Sequence, residues 1–106
     1  MRIIEEREFF IYFDDDELPP PFWSQWGGFK RRVRLQPKSV IVKWKREGCG
    51  EWLLWTVWVG GRRLHKQTNQ GISERFHDCS GQTKPMPEWL AAVVESTKPE
   101  PAAVIA

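Results

Sequence analysis

The sequence contains little cysteine and no long apolar run, and these absences limit the classes of protein it can encode. Its 106 residues include two cysteines, Cys49 and Cys79, which lie 30 positions apart and form no Cys-x-x-Cys pair. No apolar stretch approaches the ~20 residues that a membrane-spanning helix needs, and no basic segment followed by an apolar run opens the chain. Small extracellular domains commonly depend on disulfides, so we expect a cytoplasmic protein with reduced thiols and no membrane association.

Motifs for metal binding and catalysis are also missing. His77 and Cys79 are separated by one residue, which is too short for the common zinc knuckle, and Cys49 and His65 are isolated from each other, so the ligand spacing of a structural zinc site is missing. The acidic run at 14–17 lacks the ligand spacing of an EF-hand, and no Gly-x-x-x-x-Gly-Lys-Ser/Thr loop is present. A Cys49 nucleophile with a histidine base stays an alternative, although flanking glycines are equally typical of a turn. We therefore predict a protein that is not an enzyme and binds no metal or cofactor.

Tryptophan is the residue in excess, with seven in 106 residues. Three lie close together, and the two-residue period of a strand predicts Trp52 and Trp58 on one face and Trp55 on the other. Large rings on both faces indicate either a central strand of a covered sheet or a strand lying partly under a partner. Two interpretations are open: the rings fill a small core, or they form an aromatic binding face, since Trp and Arg are enriched at interface hot spots.

Hydrophobic periodicity predicts a meander of strands followed by one helix. The segments 3–13, 31–36, 39–46 and 51–59 have the composition or alternation of strands, with Pro37 between the second and third, and 72–76 is a further short edge strand. Glycines at 48 and 50 predict an antiparallel hairpin of 39–46 with 51–59. Pro87 at the first helical position predicts a helix over 87–97 that ends before Pro99. The predicted fold class is α+β, a small antiparallel sheet of about four to five strands with a C-terminal helix packed on it.

A single domain is expected over residues 1–98, followed by a flexible tail at 99–106. Within the domain, residues 14–29 form an acidic, proline-rich loop in which Pro19–Pro21 removes three backbone donors. Aromatic residues between 22 and 26 make this segment unlike a plain linker. We expect its rings to fold back on the body of the protein.

Charge is distributed unevenly along the chain although the net charge is only +2. Residues 1–29 carry a net charge of −5, residues 30–75 carry +9, and residues 76–106 carry −2. The basic middle and the acidic ends can neutralise each other in the fold. Alternatively, the middle can present a cationic face to a polyanion.

These features leave two functions open. The first is a non-enzymatic interaction module that binds another protein through aromatic and arginine side chains, for which the candidates are Trp23, Trp26, Arg31, Arg32, Arg62 and Arg63. The second is nucleic-acid binding by a basic, tryptophan-containing sheet face, for which the candidates are Lys43, Trp44, Lys45, Arg46, Arg62, Arg63 and Lys66. No ribonucleoprotein motif, KH loop or helix-turn-helix supports the second. Homodimerisation through an uncovered sheet face or an unpaired edge at 31–36 or 39–46 is compatible with both.

The C-terminal half resembles a known group of small proteins. Its strand and turn Trp-Thr-Val-Trp-Val-Gly-Gly-Arg-Arg-Leu (55–64), a loop containing Lys and Gly, and the helix opening Pro-Glu-Trp-Leu-Ala-Ala-Val-Val (87–94) are similar to orphan proteins of actinobacteriophages and related prophages. The resemblance implies a cytoplasmic accessory protein made in the host cell. Under the interaction-module hypothesis, the expected partner is then a host or phage protein that the module binds and modulates. It carries over no catalytic residue.

Overall fold

The structure, a computed structural model, describes residues 1–24, 32–64 and 71–100, and these form five strands and one helix. The strands pair antiparallel in the order β1-β3-β4-β5, and β2 pairs with β3 next to β1. This arrangement confirms the predicted α+β class with a C-terminal helix. The elements are β1 (Ile4–Tyr12), β2 (Phe22–Ser24), β3 (Val33–Glu47), β4 (Leu53–Arg63), β5 (Gly71–His77) and α1 (Glu88–Thr97).

The 15-residue strand β3 joins two segments that Pro37 was expected to separate. A register shift between Pro37 and Ser39 accommodates the proline, which has no N–H to contribute to the ladder. Gly61 lies opposite Pro37, and a Cβ there would overlap the backbone carbonyl of Gln36. The glycine therefore lets the two central strands approach closely at the shift.

The length of β3 allows β1 and β2 to pair with the same side of it. Strand β1 lies along 39–47 and β2 along 33–35, while β4 occupies the other side. The strand order therefore departs from a simple meander at β1 and β2. Among the described residues, Leu35 and 39–45 pair with strands on both sides, so these positions offer no unpaired edge for homodimerisation.

One face of the sheet packs against α1 to form the core. The Trp44 indole N–H donates to Thr97 Oγ1 at 2.9 Å near the end of the helix, and Phe13 meets Trp89 edge-to-face at 6.1 Å near its start. The fully or nearly buried apolar residues are Val33, Leu35, Val40, Val42, Trp44, Trp52, Val57, Val59, Ile72, Phe76, Leu90 and Val94. Within the described residues, no helix or strand covers the opposite side of the sheet, which we call the open face.

The tryptophans of the 52–59 segment are distributed differently from the prediction. A register shift opposite Lys43 and Trp44 makes Trp55 the extra residue of a β-bulge, so that Trp55 and Trp58 both lie on the open face. Trp52 precedes β4 and is 7% exposed in the core cluster. The prediction that Trp52 and Trp58 share a face is wrong because the bulge breaks the two-residue alternation.

The predicted loop and tail are only partly described. Phe22 begins the short strand β2 and meets Phe76 at 5.6 Å, so this part of the 14–29 segment folds back on the body as expected. Of the predicted tail, Pro99 is buried and Glu100 is exposed. Residues 25–29 and 101–106 lie outside the described residues. No described helix is long and apolar enough to cross a membrane.

Candidate interaction surface

The register of the sheet aligns the side chains of the open face in rows across four strands. Phe10, Ile41, Trp58 and Arg75 lie directly opposite one another on β1, β3, β4 and β5. Side chains opposite each other in an antiparallel sheet have Cβ atoms about 4.5–5.5 Å apart. Phe10, Ile41 and Trp58 therefore form a continuous line of apolar side chains, which we call the apolar row.

The apolar row is exposed at its β1 end and half-buried in its centre. Phe10 is 56% exposed, and its neighbour on the same face, Tyr12, is 76% exposed. Ile41 and Trp58 are half-buried. An exposed apolar cluster with a polar rim is typical of an interaction site in a soluble protein.

Each described tryptophan of the open face has a cation over its ring. The Lys45 ammonium lies 4.2 Å from the ring centroid of Trp55, and the Arg75 guanidinium lies 5.5 Å from that of Trp58. At the far end, Arg34 lies 5.3 Å from the ring of Trp23. These distances are within the range of cation–π attraction, which favours the observed placement of each ring and its cation.

Glutamates of β1 neutralise the lysines in the middle of the open face. Lys43 Nζ lies 3.4 Å from Glu6 and 3.8 Å from Glu8, and Lys45 Nζ lies 3.3 Å from Glu6. Hydrogen bonds from Lys45 and then Lys43 hold the pKa of the Glu6 carboxyl below its ordinary value. The acidic N-terminal segment therefore offsets much of the charge of the basic strand.

Four of the six residues predicted to bind a protein partner are described, and they lie at one end of the sheet. Trp23 is exposed on β2 opposite Arg34, and Arg62 is exposed on β4 opposite Gln36. Arg32 is exposed immediately before β3, whereas Arg63 is half-buried opposite the core residue Leu35. Trp26 and Arg31 lie outside the described residues.

Two of the residues predicted to bind nucleic acid need correction. Trp44 is 5% exposed on the core face, so its ring has no free surface on which a base could stack. Arg46 also lies on that side, donates to Glu5 at 2.8 Å and lies 4.7 Å from the ring of Trp52. Lys43 and Lys45 do lie on the open face, and Lys66 lies outside the described residues.

The apolar row was not among the sites predicted from the sequence. None of Phe10, Ile41, Trp55 and Trp58 is among the predicted site residues. A signal was present in β1, where aromatic residues occupy both faces of a single strand although only one face can reach the core. That pattern indicates that Phe10 and Tyr12 lie on the face of β1 that does not reach the core.

A groove of about 700 Å³ lies at the β3–β4 hairpin end, lined among others by Arg46, Cys49, Trp52 and Lys98. None of its described lining residues is a histidine, so no described imidazole serves Cys49 as a base. His77 lies elsewhere, with Nδ1 2.6 Å from Thr83 Oγ1 and Nε2 2.9 Å from the Leu54 carbonyl. His65 lies outside the described residues.

The described residues contain no group of three or more His, Cys, Asp or Glu side chains that could hold a metal ion. Comparison with protein-family models, curated proteins and solved structures found no match to the chain. The open face, with its exposed row and cation-capped tryptophans, is therefore the candidate site on physical grounds alone.

Proposed function

We propose that this protein is a non-enzymatic binding module that docks another protein on its open face and thereby modulates it. The observation that carries the proposal is the apolar row of Phe10, Ile41 and Trp58, extended by Tyr12, on a sheet whose other face already has a core. A domain of this size gains nothing in its own stability from leaving such rings in water. A partner that covers these rings would remove their apolar surface from water.

The apolar area that a partner could bury on the apolar row is large enough to contribute substantially to binding. The exposed parts of the row and of Tyr12 amount to about 350 Å² of apolar area, since aromatic side chains present roughly 150–250 Å² each. At about 25 cal/mol per Å², their burial contributes roughly 9 kcal/mol. Association costs on the order of 4–15 kcal/mol, so the row needs further contacts to bind tightly. Trp55 and Trp23, with their cations, are placed to supply them.

The charge arrangement favours a protein partner over a nucleic acid. Phosphate binding draws its affinity from cations that release counterions. On this face Lys43 and Lys45 are paired with Glu6 and Glu8, and carboxylates beside the row would repel a polyanion.

Nucleic-acid binding is the second candidate, and one end of the face supports it. Among the described residues, no carboxylate forms an ion pair with Arg34 or Arg62, and the exposed ring of Trp23 lies beside Arg34. A ring and two cations can stack on a base and bind phosphates.

The similarity to small phage proteins supports an accessory role in the cytoplasm of a host cell, with a host or phage protein as the partner.

The test is capture of partners from the native cell by wild-type protein, by Ile41→Lys and by Ile3→Lys. Ile41 lies in the centre of the apolar row, whereas Ile3 is an exposed apolar residue outside it. We expect Ile41→Lys to lose a partner that Ile3→Lys retains. Equal capture by all three proteins would contradict the proposal.

A titration of tryptophan fluorescence with single-stranded RNA and DNA distinguishes nucleic-acid binding from protein binding. Quenching that weakens by orders of magnitude between about 50 and 200 mM salt would favour nucleic acid. Arg62→Ala should then weaken binding, while Ile41→Lys should not.

A further inference from the structure

The exposed large apolar residues of the described chain are concentrated at strand β1. This strand lies at one end of the strand order, and no other described segment pairs with its outer side. Elsewhere, the large exposed apolar residues are Trp23, Leu53 and Leu64. On or next to β1 they are Met1, Ile3, Ile4, Phe10 and Tyr12.

The backbone hydrogen bonds show which residues of β1 face outward. The Gly48 N–H donates to the Ile3 carbonyl at 2.8 Å, and the Phe13 N–H donates to the Lys38 carbonyl at 3.0 Å. Hydrogen-bonded pairs alternate with non-hydrogen-bonded pairs along an antiparallel ladder, so the odd-numbered residues bond to β3. The N–H and C=O groups of the even-numbered residues point away from the sheet. Glu6, Glu8, Phe10 and Tyr12 thus carry both the outward amides and the open-face side chains.

The usual protection of an edge strand is weak in β1. Natural edges are guarded by free charges, proline, bulges or short length. Strand β1 has nine residues, contains no proline and pairs with β3 without a register shift. Its glutamates are drawn inward, because Glu6 and Glu8 pair with lysines of β3 and Glu5 pairs with Arg46.

We propose that β1 is the docking edge for a second copy of this chain, which adds antiparallel to it and joins the two sheets into one. The inference goes beyond the proposed function and does not depend on what binds the open face. It identifies an interaction surface and its partner from the edge itself.

Charge and register favour a second copy as the occupant. An antiparallel pairing centred on Phe9 or Phe10 places Glu8 opposite the second copy's Phe10 or Tyr12, so no like charges face each other. A pairing centred on Glu8 would set two carboxylates directly opposite, which is unfavourable. The favoured registers form about six to eight backbone hydrogen bonds. They also bring the apolar rows of the two copies together across the interface between their β1 strands.

The test is sedimentation of the full chain from ~1 to ~200 µM, a range that covers micromolar association. We expect the mass to rise with concentration from 12.5 kDa to twice that value. Glu8→Pro removes an outward N–H at a position where an edge strand tolerates proline, and Phe10→Lys adds a guarding charge. Each should weaken self-association at least ~10-fold.

Leu53→Lys is the matched control, because Leu53 is 61% exposed on β4, which is separated from the β1 edge by β3. It should associate as the wild type does, and circular dichroism should show that all variants fold. A wild-type mass of 12.5 kDa at every concentration would overturn the inference. Loss of association in Leu53→Lys with none in Glu8→Pro would also overturn it, by placing the contact on the open face. Ile41→Lys should still dimerise but should no longer bind the protein partner. Dimerisation at β1 and partner binding on the open face can therefore be tested separately.

Discussion

The two faces of this sheet are built from alternate residues of the same strands, yet they treat aromatic side chains in opposite ways. On the core face, Trp44 is buried with its N–H bonded to Thr97, and Trp52 is buried beneath Arg7 and Arg46. On the open face, Trp55 and Trp58 retain exposure and are capped by cations. The tryptophans are therefore divided between a small core on one side of the sheet and, on the other, the face that we propose as a binding surface.

The largest difference between the faces should appear on truncation of one apolar residue from each. Leu90 is fully buried between α1 and the sheet, so Leu90→Ala should destabilise the protein by about 3 kcal/mol. Phe10→Ala on the open face should change the free energy of unfolding by less than ~1 kcal/mol. Thermal unfolding measures both, with an expected fall of roughly 10–20 °C for Leu90→Ala. Equal losses would mean that the open face is part of the core.

Two adjacent glycines give a second comparison of the faces. A Cβ at Gly61 would overlap the backbone of Gln36, whereas a Cβ at Gly60 would meet the Ser39 hydroxyl, which can rotate away. We expect Gly61→Ala to cost about 2–3 kcal/mol and Gly60→Ala less than half of that. Urea unfolding checks the order, and a costlier Gly60→Ala would contradict the register at Pro37.

The cations on the two faces should also differ in their contribution to stability. Arg46 is the more enclosed, because its side chain is 17% exposed, binds Glu5 and stacks on Trp52. Arg46→Ala should cost about 1–2 kcal/mol through lost packing and hydrogen bonding. Lys45→Ala, on the open face, should cost about 0.5 kcal/mol or less. Chemical denaturation of both variants tests this, and the reverse order would contradict the assignment of faces.

The smallest effect concerns the pKa of Glu6. Lys45 and Lys43 lower it in the folded state, so their ion pairs stabilise the fold above the unfolded-state pKa and lose this contribution as the pH falls through the folded-state pKa. Lys45→Met should raise the pKa of Glu6 toward its ordinary value, as measured by carboxyl NMR titration. Lys84→Met, beside Glu74 on β5, is the control and should leave Glu6 unchanged. No change in Lys45→Met would show that the pairs do not form in solution.

The fold class could be predicted because its signals are local. Alternation in 39–46, the glycines at 48 and 50, and Pro87 before an apolar stripe each report on neighbouring residues. The turn of the hairpin and the ends of the helix therefore agree with the structure to within about two residues, although both strands of the hairpin extend further from the turn than predicted. Pro37 was the exception, since its place inside β3 depends on Gly61 of the opposite strand.

The candidate site could be predicted only in part because it depends on register. One bulge residue, Trp55, decides which tryptophans share a face, and alternation alone cannot locate it. The opposite charges of residues 1–29 and 30–75 were visible, but the pairing of Glu6 with Lys43 and Lys45 depends on β1 lying next to β3. Because this long-range pairing neutralises the basic residues, the candidate site is the apolar row instead.

The most direct test of the central claim is photo-cross-linking in the native cell from the centre of the open face. A benzophenone amino acid replaces Trp58 in one protein and Leu64, an exposed residue just beyond β4, in another. If the open face binds a protein, position 58 should give a discrete protein adduct that is absent from position 64. The same adducts from both positions, or none from position 58, would contradict it.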